Sequence, residues 1–431
     1  MNTTFRPFTR RQFLSASAIA AVGLTLPFST QSATRKHRKV GANDRIQVGV
    51  IGLGGRAAHI LRNEQLATMP DVDVVAVADC DLSRLNGKKD IRGNDKWHKY
   101  QHYQEMLEKE KLDAVFIETT THARVLACIH ALQAGLDVYG EKPLTLTIAE
   151  GQTLVKAVRK YKRILQTGSQ QRSMPINIYA SDLVREGKIG KIREVLTCNF
   201  LPGKVWQNPG KTESIPKGLD WDAWCNQTDL RPYSKDLQHG WGNYVDYDDG
   251  GQSWGVSGWG THSLDQVQCA LGTDSTGPVE IWPEEPGPAG KVTARYANGT
   301  LLKMHNPKRP THEDLGAIFV GEKGTIEILR GDFRCTIKEL RDAAPPVLPE
   351  GPGESVPHIR NFFDCMRSRK QPNADVEVGH RSVTLCHLVT ICRTLGRKLN
   401  WDPKREQFHD DKEANALLSR PRRAGYELPV I

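Results

Sequence analysis

A glycine-rich segment near the N-terminus carries the residue types that bind phosphate groups. Residues 52–57 form a G-x-G-x-x-A pattern between the apolar run 46–51 and a stretch predicted to be helical, 58–67. In that context the first glycine permits a tight turn, the second lets the backbone approach a pyrophosphate, and the final small residue allows close helix packing. The helix N-terminus then favours negative charge, so the pattern predicts a dinucleotide site. The candidate contacts in this loop are Gly52, Gly54, Gly55 and Arg56.

An acidic residue follows the next predicted strand, 72–78. Asp79 lies 27 residues after Gly52, slightly beyond the usual interval for the acid that holds the adenosine ribose. A carboxylate at that place favours NAD, because it would repel the 2′-phosphate of NADP. Arg84 is close enough along the chain to leave NADP open, and Asp79 could alternatively be a turn acid at the end of the strand.

The elements around these residues alternate between strand and helix. Further strands are predicted at 113–117, 137–139 and 164–167, with helices between them that include 148–161. Strict alternation predicts a doubly wound parallel sheet, whose ligand crevice lies at the carboxyl ends of the strands. We therefore expect an α/β protein whose nucleotide-binding Rossmann domain spans residues 44–168.

The pattern changes after Ser169, and a second domain is predicted over 169–403. Strands at 192–200 and between 279 and 329 favour an α+β unit with an open mixed or antiparallel sheet. The stretch 202–258 is rich in tryptophan, tyrosine and acids, which suits carbohydrate binding, and Tyr247 is a candidate contact there. An ordinary covering loop is the alternative, and a calcium site around Asp246 and Asp248 is disfavoured because loop ligands are missing. A charged tail, 404–431, is expected to wrap the surface or a neighbouring subunit.

The first 33 residues have the pattern of a targeting signal rather than of a folded domain. Arg10 and Arg11 precede Phe13-Leu14 and a short run rich in alanine, serine and glycine, as in twin-arginine export signals. That run is too short to span a bilayer. A polar linker, 34–43, follows. The protein is therefore expected to be exported, to the periplasm or beyond, by the twin-arginine translocase, a route that carries folded proteins.

Composition excludes several classes of protein. The net charge of +9 is spread over 431 residues, and 38% are hydrophobic, which fits a soluble globular protein without a nucleic-acid footprint or a membrane span. Nine cysteines without C-x-x-C spacing argue against a disulfide framework or a zinc knuckle. We expect neither a metal site nor a nucleic-acid partner.

Several motifs together resemble the glucose–fructose oxidoreductase / inositol dehydrogenase / MocA superfamily, in its exported branch. They are the glycine loop, Asp79, the turn 119–122, Glu-Lys-Pro at 141–143, the segments 166–172, 187–192 and 258–265, and the C-terminal segment 396–403. The resemblance covers nearly the whole chain from residue 44 onward. It implies a sugar-level oxidoreductase with NAD(P) in the first domain and a second-domain sheet that often forms a subunit interface, hence a homo-oligomer.

The resemblance also assigns roles to individual residues. It places Lys142 beside the nicotinamide, where an ammonium would stabilise developing alkoxide charge, although a surface ion pair with Glu141 is the alternative. His262 is the candidate general base and Asp265 its orienting partner, against a purely structural histidine at a helix start. Relatives commonly carry an aspartate four residues before this histidine, where this chain has Gly258. Cofactor contacts implied by the resemblance are Thr119, His122, Glu141, Lys142 and Gln170, and substrate contacts are Arg172 and His262.

Three functions fit these features. The leading hypothesis is an NAD(P)-dependent oxidoreductase that acts on a hydroxyl of a sugar, polyol or glycoside by hydride transfer. The alternative is an NAD-dependent glycoside hydrolase or lyase, in which a bound cofactor oxidises the ring transiently and is restored. A non-catalytic sugar sensor is the third, and Lys142 and His262 weigh against it. Fold analogy alone does not choose between the first two.

Overall fold

A computed structural model describes residues 41, 44–208, 210, 213–248, 255–306, 315–346 and 353–431, all in one compact unit. The predicted export signal, 1–33, and nearly all of the linker, 34–43, lie outside the described residues. Among the helices that are described, none combines the length and the apolar character that a membrane crossing needs.

The first sheet has six parallel strands in the order β3-β2-β1-β4-β5-β6, which confirms the predicted doubly wound topology. Its apolar central strands are covered on both faces, as parallel sheets require. The strand β3 was not predicted, because three residues of His-Lys-Tyr give no apolar run. The strands are β1 (Ile46–Ile51), β2 (Val72–Ala78), β3 (His98–Tyr100), β4 (Ala114–Ile117), β5 (Asp137–Gly140) and β6 (Leu165–Thr167).

Five helices connect these strands. The first begins at Gly55 and ends at Arg62, whereas the sequence predicted 58–67; the chain turns at Gln65, whose φ of 64° is left-handed. The fifth matches its predicted bounds, with Thr147 capping its N-terminus through Glu150 N. The helices are α1 (Gly55–Arg62), α2 (Leu82–Gly87), α3 (Tyr103–Lys109), α4 (Thr121–Gln133) and α5 (Ile148–Tyr161).

The second sheet has nine strands in the order β13-β12-β11-β7-β10-β9-β8-β14-β15. It is mixed, since β10 runs parallel to β7 while the other pairs are antiparallel. Short strands beyond residue 330 were missed because each has only two to four residues. The strands are β7 (Ile192–Cys198), β8 (Pro278–Pro283), β9 (Val292–Tyr296), β10 (Leu301–Asn306), β11 (Ala317–Gly321), β12 (Thr325–Ile328), β13 (Phe333–Cys335), β14 (Leu399–Asp402) and β15 (Gln407–Phe408).

Helices of the second half join the two sheets into one core. The helix α13 begins at Val376, seven residues before the predicted start, because Asp375 caps it through Glu377 N. Phe362 of α12 packs edge-on against Phe116 of β4, so a helix from the predicted second domain completes the core of the first. The helices are α6 (Pro175–Arg185), α7 (Trp221–Cys225), α8 (Lys235–Gly240), α9 (Val245–Asp248), α10 (Trp259–Leu271), α11 (Lys338–Asp342), α12 (Val356–Ser368), α13 (Val376–Leu395) and α14 (Lys412–Ala416).

The stretch after β7 forms a separate aromatic layer, which we call the insert (residues 201–248). Its small core stacks Trp221 on Trp224 at 4.4 Å between ring centroids and includes the buried Tyr247. The backbone of the insert binds the end of β2, because Asp220 N donates to Cys80 O at 2.9 Å. The insert therefore covers one side of the crevice at the carboxyl ends of the first sheet.

Candidate active site

The glycine loop is pressed against the end of β4. Gly52 has a φ of 86°, and a Cβ at this position would lie 2.9 Å from the backbone of Glu118 and Thr119. Gly54 and Gly55 keep exposed surface, and Gly55 has open space around its Cβ position. The sequence thus needs glycine at residue 52 for the fold, while the remaining loop backbone is accessible to a phosphate group at the N-terminus of α1.

Asp79 fixes the shape of this loop. Its carboxylate accepts hydrogen bonds from Leu53 N at 2.7 Å and from Asp81 N at 2.9 Å. Burial raises the pKa of Asp79, while Arg84 lowers it. A carboxylate offers about four acceptor sites, so two remain for ribose hydroxyls. The guanidinium of Arg84 comes within 3.0 Å of the Cβ position at Gly54. Asp79 and Arg84, the two residues expected to decide between NAD and NADP, therefore both lie next to the loop.

Glu141 is the centre of a buried network that ties the glycine loop to β5. Its Oε1 accepts from Arg56 Nε at 2.8 Å and from Gln170 Nε2 at 3.0 Å, and Oε2 accepts from Lys142 N at 3.0 Å. Arg56 also binds Glu64 at 2.8 Å. Arg56, Glu141 and Gln170 were predicted as cofactor contacts, and that stays a prediction; the structure joins their polar groups to one another, and Glu141 also binds the backbone of Lys142.

Lys142 projects from the end of β5 toward the second half of the chain. Its Nζ donates to Gly258 O at 3.1 Å, and the residue keeps part of its surface exposed. Burial lowers the pKa of Lys142 to about 8, against the raising effect of Glu141. Gly258 caps the N-terminus of α10, the helix that carries His262. Residue 258, where the family resemblance leads us to expect an aspartate, therefore contributes a backbone carbonyl that binds the lysine.

Asp265 and Arg172 form an internal ion pair, which changes the roles predicted for them. Arg172 Nε donates to both oxygens of Asp265 at 2.8 and 2.9 Å, and Ser382 Oγ donates to the same carboxylate at 2.6 Å. The other edge of the guanidinium binds Asp274 at 2.7 and 3.0 Å. Arg172 is 8% exposed and its guanidinium is paired with two carboxylates, and its contact with substrate stays a prediction. Asp265 orients Arg172 and α13, and its proposed action on His262 remains a prediction.

His122 and Tyr247 lie inside the aromatic core of the insert rather than at a ligand surface. His122 Nε2 donates to Trp224 O at 2.8 Å, and its ring meets Tyr247 edge-on at 4.8 Å. Burial lowers the pKa of His122 to about 4. Tyr247 has 0% exposure and His122 has 1%, so neither predicted contact, with substrate or cofactor, is accessible. Thr119 is partly exposed beside Gly52 and remains a candidate.

Three charged residues at the same place were not predicted as part of a nucleotide or catalytic site, although Asp248 was weighed as a calcium ligand. Glu118 follows β4 directly, and among the described residues neither of its carboxylate oxygens has a hydrogen-bond partner. Arg124 donates to the carbonyls of Thr119 and Pro143. Asp248, from the insert, accepts a hydrogen bond from Thr121 Oγ1. The position of Glu118 directly after a strand could have identified it from the sequence. No sequence pattern predicted that Asp248 would approach this place from the insert.

Asp246 and Asp248, the acids weighed for a calcium site, are both bound to other side chains. Asp246 pairs with Arg231 at 2.5 Å, and Asp249 lies outside the described residues. Within the described part of the chain, no group of three or more histidine, cysteine or acidic residues is placed to hold a metal ion.

Two family descriptions match the chain over most of its length. The C-terminal alpha/beta domain of the GFO/IDH/MocA oxidoreductase family matches residues 197–428, and the NAD-binding Rossmann fold of the same family matches residues 46–169. The chain belongs to the GFO/IDH/MocA oxidoreductase family. Its first domain is accordingly an NAD-binding Rossmann domain, which confirms the predicted cofactor class.

Individual relatives match over shorter stretches. The myo-inositol 2-dehydrogenase of Thermotoga maritima is 32% identical over 149 residues, which are 34% of this chain and 42% of that protein. A glycosyl hydrolase family 109 protein of Shewanella pealeana is 23% identical over 202 residues, 42% of this chain and 44% of that protein. The chain thus spans less than half the length of these curated relatives.

Among solved structures, the aldose-aldose oxidoreductase of Caulobacter crescentus complexed with glycerol superposes with a TM-score of 0.59. It is 17% identical, and the match covers 83% of this chain and 99% of that one. At this identity the similarity establishes the fold of both domains and nothing further.

Proposed function

We propose that this protein is an NAD(P)-dependent oxidoreductase that oxidises a hydroxyl group of a sugar, polyol or glycoside. One observation carries the proposal: Lys142 reaches from the dinucleotide crevice to Gly258, at the start of the helix that bears His262. The contact joins the ammonium group to the backbone four residues before His262, whose imidazole is the second group of the proposal. Those are the groups that alcohol oxidation needs beside a nicotinamide.

The reaction assigns one task to each residue. The Lys142 ammonium stabilises negative charge that develops on the substrate oxygen, and His262 accepts the hydroxyl proton. The glycine loop and Asp79 would hold NAD⁺ or NADP⁺, which would supply the acceptor for the hydride when the alcohol carbon becomes a carbonyl. Because the Lys142 pKa is about 8, the side chain is mostly charged at neutral pH, as this task requires.

The loop residues fit the dinucleotide. The exposed backbone of Gly54 and Gly55 suits the pyrophosphate, and Asp79 has acceptor capacity for a ribose. Thr119 lies beside them with its hydroxyl group lacking a hydrogen-bond partner among the described residues. The similarity to an inositol dehydrogenase supports a polyhydroxylated substrate.

A second candidate is glycoside cleavage with a retained cofactor. The insert binds the end of β2 through Cys80 and the start of α4 through Thr121, so it covers the crevice from the adenosine side to the nicotinamide side. A covered cofactor suits chemistry in which the hydride is returned within one cycle. The similarity to a glycosyl hydrolase family 109 protein supports the same reading.

Export by the twin-arginine translocase and assembly into a homo-oligomer are further parts of the proposal. Arg10 and Arg11 in the N-terminal segment support export. Fractionation of cells that express the chain with Arg10 and Arg11 both changed to lysine should leave the protein inside the cell. Light scattering after size exclusion measures the number of subunits.

The test starts from protein purified without added cofactor. Denaturation followed by an enzymatic assay of NAD(H) and NADP(H) should release close to one nucleotide per chain, or the empty protein should bind one of them. Polyols and sugars are then screened for NADH formation, and aryl glycosides for cleavage without net NADH. Lys142→Met should abolish either activity, whereas Lys156→Met, on the exposed face of α5, should not. A protein that binds neither nucleotide would refute both functions.

A further inference from the structure

Asp248 is held by two hydrogen bonds, one to the start of α4 and one to the residue before Gly258. Its Oδ1 accepts from Thr121 Oγ1, at the start of α4, and its backbone carbonyl accepts from Ser257 Oγ. Ser257 immediately precedes Gly258, the residue whose carbonyl binds Lys142 Nζ at 3.1 Å. Asp248 is 2% exposed. Asp248 is therefore fixed beside the segment that receives the lysine.

The strand register brings the anchor of Asp248 close to Lys142 as well. The strands β4 and β5 are parallel neighbours, with Ile117 paired to Gly140. Thr121 follows β4 and Lys142 follows β5, so both emerge at the same edge of the sheet. Asp248, which accepts a hydrogen bond from Thr121, is therefore anchored at this edge.

The charges around Lys142 give a carboxylate at that place a clear role. Burial is the largest effect on the pKa of Lys142 and lowers it, and Arg56 and Arg330 lower it further. Glu141 and Asp248 raise this pKa. Glu141 already pairs with Arg56 at 2.8 Å. The guanidinium therefore offsets part of the negative charge that Glu141 presents to Lys142. Asp248 also raises the pKa of Arg124, a buried cation at the start of α4. Asp248 is thus the acid from outside both sheets that favours a charged lysine.

We propose that Asp248 is a positioning residue that keeps Lys142 protonated and directed into the crevice. A buried lysine flanked by cations otherwise loses its proton, and a neutral amine stabilises an alkoxide far less well. The catalytic use of this arrangement rests on the proposed function, but the state of the lysine does not. Because Asp248 belongs to the insert, the charged form of Lys142 depends on the insert being in place.

The test measures the protonation of Lys142 without any substrate. The purified protein is labelled briefly with trace acetic anhydride between pH 6 and 11, and the extent of modification of the Lys142 peptide is measured by mass spectrometry. Only the neutral amine reacts, so the midpoint of the labelling curve reports the pKa. Asp248→Asn keeps the size of the side chain and an acceptor for Thr121, and it should lower the midpoint by about one pH unit.

The matched control is Asp246→Asn, the same change two residues earlier in α9, where the carboxylate binds Arg231 instead. This variant should leave the midpoint unchanged. Asp248→Glu, which keeps the negative charge, should have a midpoint close to that of the wild type rather than that of Asp248→Asn. An Asp248→Asn protein that unfolds as wild type does but labels with the wild-type midpoint would overturn the proposal. If Asp248→Asn does not fold, Thr121→Val, which frees the carboxylate from its anchor, should still lower the midpoint, and no shift there overturns the proposal equally. A shift in a protein without oxidoreductase activity would refute the proposed function and leave this inference standing.

Discussion

The activity of a crevice lysine depends on its charge, and Lys142 is placed so that its charge changes near physiological pH. Burial lowers its pKa to about 8. If the ammonium form is the active one, kcat/KM should fall as pH rises through about 8, because the proton that stabilises the alkoxide is lost. Initial rates of NADH formation between pH 6 and 10 measure this limb. In Lys142→Arg the remaining activity should show no such fall, because a guanidinium stays charged over the range. A rate that rises through pH 8 would instead make Lys142 the base.

Glu118 is a second residue whose burial has a measurable consequence. Burial and the nearby Glu141 raise its pKa well above the usual value, against Arg56 and Arg124. Below the unfolded pKa of about 4.5 the acid is protonated in both states. Above it the unfolded chain ionises first, so this group removes stability as pH rises toward its folded pKa. Glu118→Gln should therefore raise Tm at pH 8 more than at pH 5 in cofactor-free protein.

The control for this effect is Glu105→Gln, an exposed acid on α3 that pairs with Lys109 one turn away. It should change Tm little, and equally at both pH values. Parallel pH dependence of Tm in Glu118→Gln and in wild type would show that Glu118 is not held neutral in the folded protein.

At the scale of elements, the turn between β1 and α1 distinguishes two neighbouring glycines. Gly52→Ala forces a Cβ to 2.9 Å from the backbone at Glu118 and Thr119, at a φ of 86°. We expect a loss of about 1–3 kcal/mol in unfolding free energy, measured by urea denaturation without cofactor. Gly55→Ala, where nothing lies within 4 Å of the new Cβ, should be neutral or slightly stabilising because alanine favours the helix. Equal losses in the two variants would contradict the close contact between the loop and β4.

The elements also explain which parts of the site could be predicted from the sequence. Gly52, Asp79 and Lys142 each follow a strand of one parallel sheet, and the alternation of strands and helices was enough to place them at one edge. Arg172 and Asp265 show the limit. The family resemblance implied a substrate contact for Arg172, and Asp265 was expected to orient His262, but the ion pair between them joins residues 93 positions apart in sequence. The aromatic residues of the insert likewise suggested a carbohydrate-binding surface. In the structure Tyr247 packs inside the hydrophobic core of the insert.

At the scale of the whole molecule, the C-terminal tail binds the insert to the first sheet. Ala149 N donates to Leu418 O at 2.9 Å, and Arg422 pairs with Glu150 on the same helix. Four residues farther along, Tyr426 OH donates to Asp222 of α7 at 2.6 Å. The tail predicted to wrap the surface therefore crosses from α5 to the insert, which covers the cofactor crevice.

Arg423 offers the best test of this connection between the C-terminal tail and the insert. Its guanidinium donates to Asp222 Oδ2 at 2.6 Å and to the carbonyls of Asn226 and Thr228 at 3.1 Å each. Arg423→Ala leaves these acceptors unpaired, so the insert should open more often and NADH should leave about tenfold faster, a change of about 1.4 kcal/mol. Stopped-flow chase of NADH fluorescence with excess NAD⁺ measures the rate. Arg405→Ala removes an exposed arginine that contacts only Asp402, at 3.8 Å, among the ion pairs of the described residues, and should leave release unchanged. Release at the wild-type rate in Arg423→Ala, with the protein folded, would mean that the cofactor leaves without movement of the insert.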